Sequence, residues 1–131
     1  MEKPKYLTSL EWEIMNVVWK FKRFPVTVRQ VLEQAYPKGE KAYTTVQTIM
    51  NNLTEKGLLI REKIGPVNVY NPKVSADVAQ KKETFRFVNK VFNGSFFSLA
   101  NFLLSSGRLT REEIEQLKQM LEQNNRGKQN D

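Results

Sequence analysis

The stretch from Tyr43 to Gly57, YTTVQTIMNNLTEKG, constrains this chain more than any other. Val46, Ile49, Met50 and Leu53 recur at three- and four-residue spacing, so a helix gathers them on one face. The opposite face then carries Thr44, Thr45, Gln47, Thr48, Asn51 and Asn52, none of them charged. Solvated helix faces ordinarily carry Lys and Glu pairs. Short uncharged side chains suit base edges instead, since Gln and Asn bond adenine bidentately and Thr meets the thymine methyl. Gly57 supplies the left-handed residue that ends the helix. A plain amphipathic helix whose polar face lacks charge gives the same pattern, so the neighbouring segments must decide.

Those neighbours have a definite order. Thr8 with Glu11 three residues on is capping-box spacing, and Leu10, Ile14, Val17, Val18 and Phe21 follow as a stripe. This predicts a helix over about residues 9–21, with Trp12, Met15 and Trp19 beside the stripe. Lys22-Arg23-Phe24-Pro25 breaks it, and Pro25 places any strand at Val26 on a sheet edge. Thr27 and Gln30 open a second helix, whose buried face is Val28, Val31, Leu32 and Ala35. Helix, break, helix, loop, helix is the order of a helix-turn-helix domain, whose later helix enters the major groove. After Gly57 the period falls to about two. Residues 58–64 form one strand and residues 67–70 the next, joined at Gly65-Pro66. A hairpin there is a wing, and Arg61 and Lys63 on it can meet phosphate; charges that merely keep a strand face soluble look the same.

Asn71-Pro72 marks a boundary, so a winged-helix DNA-binding domain is expected over residues 1–72 and a helical segment over residues 73–131. The fold class is mainly α with a small β-hairpin wing. Ser75 opens a helix to about Asn93 that carries Val78, Phe85, Val88 and Phe92. Next come Phe96, Phe97, Leu99, Phe102, Leu103 and Leu104 within eleven residues, before Gly107. Thr110 and Glu113 open a last helix with Ile114, Leu117 and Leu121, ahead of a polar tail expected to fray. A segment this small rarely buries so many aromatics alone. It folds back on the first domain or meets a copy of itself, and a homodimer suits palindromic DNA better. Phe85, Val88, Phe92, Phe96, Phe97, Leu99, Phe102, Leu103, Ile114, Leu117 and Leu121 are its expected dimerisation residues.

Composition limits the chemistry. The 131 residues carry a formal net charge of +7, spread over both halves, which favours a polyanionic partner. Neither Cys nor His occurs, so disulfides, thiolate or imidazole metal sites and His-based catalysis are unavailable. No enzyme activity and no cofactor are expected. With neither a signal-like N-terminus nor an apolar run of membrane-spanning length, the chain reads as soluble and cytoplasmic.

Three segments carry a family likeness: LTSLEWEIMNVVWK, AYTTVQTIMNNLTEKGLL and FVNKVFNGSFFSLANFLL. Together they resemble the BlaI/MecI family of transcriptional repressors over about Leu7 to Leu121. The resemblance implies a winged helix on operator half-sites and a C-terminal dimerisation segment. Base contacts then fall on Thr44, Thr45, Gln47 and Thr48, and backbone contacts on Tyr43, Arg61 and Lys63. Penicillin-responsive members carry Lys and Arg where this chain has Thr44 and Gln47. Losing Arg removes the bidentate partner of guanine, whereas Gln serves adenine. The resemblance also implies inactivation by a sensor-protease pathway, with cleavage at Asn101–Phe102; a surface Asn beside a core Phe accounts for that pair equally well. A winged helix that binds a protein partner through its aromatic C-terminal surface is the rival function.

Overall fold

The computed structural model describes residues 6–129. The expected polar arm falls largely on residues 1–5, and the end of the expected tail on residues 130–131; both lie outside the described residues. The chain forms two compact units, Met1–Glu83 and Thr84–Asp131.

In the first unit the order is α1 (Ser9–Val18), β1 (Val26–Thr27), α2 (Val28–Ala35), α3 (Tyr43–Glu55), β2 (Leu59–Ile64) and β3 (Val67–Pro72), with α4 (Ala76–Val91) leaving it. Both expected capping boxes form. Thr8 accepts from the Glu11 N–H while the Glu11 carboxylate accepts from the Thr8 N–H, and Thr27 and Gln30 do the same. α1 ends at Val18, earlier than its apolar stripe suggests. Lys20 and Phe21 close tighter three-residue turns onto Val17 and Val18 as the chain approaches Pro25. The core joins Ile14, Met15 and Val18 of α1 to Val28 and Val31 of α2 and to Val46, Ile49, Met50 and Leu53 of α3. The apolar face read from α3 is thus the buried one.

One residue departs from the expected stripe. Leu10 is exposed, and Glu11 takes the inward position with Ile14, Met15 and Val18. A buried carboxylate needs a partner. Lys56, just past α3, supplies it at 2.5 Å and also donates to the Tyr6 carbonyl at 3.1 Å. Burial pushes the Glu11 carboxyl up, but the bonds from Lys56 and Thr8 outweigh it and leave the group below its ordinary range.

The sheet has order β1-β3-β2, all antiparallel, with β1 on an edge as Pro25 requires. Ile64 pairs with Val67 across Gly65-Pro66. Gly65 has φ 61 and proline fixes a negative φ, the signs of a type II′ hairpin turn. β3 continues to Pro72, beyond the expected Tyr70. Pro72 sits opposite Leu59, where the flanking ladder bond runs from the Lys73 N–H to the Leu58 carbonyl at 2.8 Å. No proline N–H is required at that position.

The second unit takes the end of α4, then α5 (Phe96–Ser105) and α6 (Arg111–Gln129). Asn93 and Gly94 have φ 50 and 83, and the Gly94 N–H reaches back to the Val88 carbonyl, which closes α4. Phe85 meets Phe96 edge-on at 5.1 Å, and Phe92 meets Phe102 at 6.4 Å. Thr110 and Glu113 cap α6 as expected. The expected frayed tail is helical up to Gln129. Glu122, Gln123 and Arg126 are good helix formers, and they outweigh Asn124, Asn125 and Gly127, of which Gly127 costs the most, about 1 kcal/mol.

Candidate nucleic-acid interface

Helix α3 is held at both ends. Its N-terminus follows Ala42, which offers no side-chain cap. Tyr43 there lies under the Arg29 guanidinium of α2, 5.1 Å from the ring centroid. At the other end Gly57 has φ 84, its N–H bonds the Thr54 carbonyl, and the Leu58 N–H bonds that of Leu53. Those two bonds make a Schellman motif, with Leu53 and Leu58 both buried across it.

Between these ends Thr44, Thr45 and Thr48 are exposed and Gln47 is half-buried, so the four expected base readers lie on the outward side. Thr48 donates its hydroxyl to the Thr44 carbonyl at 2.9 Å. With that proton engaged, Thr48 keeps its methyl and acceptor lone pairs for a partner. Tyr43 is partly exposed beside them.

The wing is tied to this helix. In β2, Arg61 and Lys63 share a face with the buried Leu59, and Arg61 pairs across the strands with the buried Tyr70. The Asn51 Oδ1 of α3 accepts from the Tyr70 hydroxyl at 2.8 Å and from Arg61 Nη1 at 3.0 Å. Burial pushes the Tyr70 hydroxyl up, and the Arg61 charge beside it only partly offsets this. Lys63 is exposed, opposite Asn68. Sequence reasoning placed Asn51 on the polar face but missed its two bonds, and it missed Arg29. Neither leaves a periodic signal, because each depends on which strand or helix comes alongside.

The expected dimerisation residues divide by burial. Phe85, Phe96, Phe97, Phe102, Leu103, Leu117 and Leu121 are exposed, Phe97 at 81% and Leu121 at 64%. Phe92, Leu99 and Ile114 are half-buried. Val88 is wholly buried within its own chain. Phe87 and Met120, absent from the expected set, are exposed at 45% and 63%. Asn101 and Phe102 are both exposed in α5, where the Ser105 hydroxyl bonds their carbonyls. Among the described residues no group of His, Cys, Asp or Glu is arranged to hold a metal ion, and no helix is long and apolar enough to cross a membrane.

Comparison with known proteins gives this geometry its setting. The family described as "Penicillinase repressor" matches residues 7–123. The methicillin resistance regulatory protein MecI of Staphylococcus aureus (strain N315) is 29% identical over 115 residues, 88% of this chain and 92% of that protein. The penicillinase repressor of Bacillus licheniformis is 29% identical over 123 residues, 94% of each chain. Among solved structures, the Bacillus licheniformis BlaI monomer in complex with the blaP half-operator is 28% identical, covering 59% of this chain and 92% of that one, with a TM-score of 0.45. The isolated DNA-binding domain of the repressor BlaI is 29% identical, covering 58% and 90%, with a TM-score of 0.48. The family match runs from before α1 into α6 and includes all three segments of the sequence resemblance, so this chain belongs to the penicillinase repressor family.

Proposed function

We propose that this chain is a sequence-specific DNA-binding transcriptional repressor that acts as a homodimer on a dyad-symmetric operator. The carrying observation is the outward side of α3, uncharged from Thr44 to Asn52 and joined to a wing, in a chain that belongs to a repressor family. A relative, BlaI, has been solved on a half-operator, and that mode of binding is brought here as part of the proposal. Thr44, Thr45, Gln47 and Thr48 meet base edges, with Gln47 favouring adenine. Tyr43, Arg61 and Lys63 meet phosphate or sugar and set the register. Residues 1–72 form the reading head and residues 73–131 the dimerisation segment, through the exposed aromatic and aliphatic side chains of α4, α5 and α6. Cleavage at Asn101–Phe102 inactivates the dimer. Because the bond lies within a helix, a protease reaches it through local opening of α5.

Selection of bound duplexes from a random pool tests the reading. A recovered dyad with half-sites one helical turn, or a multiple, apart is the expected result. Enrichment without a motif, lost uniformly with salt, overturns it.

A further inference from the structure

Asn51 lies one turn beyond Thr48 on α3, half-buried between that helix and the wing. Its single amide oxygen takes two hydrogen bonds, from the Tyr70 hydroxyl at 2.8 Å and from Arg61 Nη1 at 3.0 Å. An arginine only donates, so its contact fixes the amide with the oxygen toward the wing. The two bonds answer different needs. Tyr70 is fully buried, and a buried hydroxyl must find an acceptor. Arg61 is exposed, and water would satisfy its guanidinium equally well. Burial therefore explains the first bond and not the second.

What the second bond does is hold a long, rotamer-rich side chain in one place. Arg61 has five N–H donors, and one is engaged by Asn51. The remaining fork is carried at the junction of helix and wing, where a groove edge runs when α3 lies in the groove. We propose that Asn51 is a positioning residue for DNA binding: it fixes Arg61 against α3 before DNA arrives, so the remaining guanidinium donors meet a phosphate with little further ordering. This rests on the DNA-binding reading above. Ordering one such side chain in advance strengthens binding by roughly 3- to 10-fold.

The test is a four-variant cycle in the full chain: parent, Asn51→Ala, Arg61→Ala and both. All four carry Tyr70→Phe, so that no buried hydroxyl loses its partner. Affinity for the selected operator and its salt dependence are measured, with unfolding curves for each variant. Where Arg61 is present, Asn51→Ala should weaken operator binding about 3- to 10-fold and leave the salt slope unchanged, because the guanidinium still neutralises its phosphate. Arg61→Ala should lower the slope by about one, and in that background Asn51→Ala should change nothing. If Asn51→Ala does not fold, Asn51→Thr, whose oxygen is one bond shorter, takes its place with the same expectation. Equal losses with and without Arg61 overturn the positioning role and leave the repressor reading standing. Failure of the wild-type chain to select any duplex overturns both.

Discussion

Gln47 and Lys63 differ in what each can know of a DNA sequence. Under the proposed function Gln47 offers a donor and an acceptor to one base edge, so Gln47→Ala should cost roughly 1–3 kcal/mol on the selected operator and relax preference at one base pair. Equal losses on operator and random duplex would remove it from the readers. Lys63 is a mobile point charge at the exposed end of β2. Lys63→Ala should weaken every sequence alike and lower the salt slope by about one, as titration at several salt concentrations will show. A third residue, Glu11, acts on stability alone. Its carboxyl pKa is lowered in the fold, so its stabilisation is present above the ordinary value of 4.5 and lost as pH falls through the lower folded value. Glu11→Gln leaves Lys56 buried without its counter-charge and should cost about 3 kcal/mol near neutral pH. Urea unfolding should show that difference shrinking as pH falls below the ordinary carboxyl value of 4.5; a constant difference would mean the ion pair is not its source. The Glu11–Lys56 pair was not legible in the chain. Glu11 reads as a capping-box residue, and it is one; nothing in the spacing says that Lys56, forty-five positions on, closes over it.

Capped helix starts were the most legible feature of the elements, because capping is a local bond between residues three apart. Thr8, Thr27 and Thr110 each take the partner their spacing assigned. The hairpin was legible for the same reason, since Gly65-Pro66 satisfies its turn without help from elsewhere. The two ends of α3 differ. Ala42 gives no cap, so order at the start of α3 depends on packing and on the Arg29–Tyr43 contact, which no local pattern announces. Gly57 locks the other end and sets the angle at which the chain enters the wing. At φ 84 a Cβ meets nothing within 4 Å, so Gly57→Ala suffers from backbone strain and not from a clash. The expected loss is about 1–2 kcal/mol by thermal or denaturant unfolding, with Gly57→Asn milder. Equal losses for Ala and Asn would show that something other than the left-handed backbone sets the requirement there.

At the scale of the whole molecule, the second unit poses the question that the first does not answer. A chain that buries Val88 yet leaves Phe97 and Leu121 mostly in water has apolar surface to spare. The sequence indicated this by the number of aromatics in a short segment, but not which side chains face inward, because the interhelical pairing decides that. Phe92 turns toward Phe102, whereas Phe97 meets no ring among the described residues. If a second copy covers this surface, charge placed on it separates the dimer and leaves each reading head intact. Phe97→Glu combined with Leu121→Glu should halve the sedimenting mass while the chain keeps its affinity for an isolated half-site. Affinity for the full dyad should fall by roughly 10²–10⁴, the effective-concentration advantage of two linked heads. Cutting at Asn101–Phe102 should reproduce that pattern if the bond is the switch: half-site binding retained, dyad binding lost by the same factor. Equal loss on half-site and dyad would place the damage in the first unit instead. An unchanged mass would show that this apolar surface serves something other than a second copy of the chain.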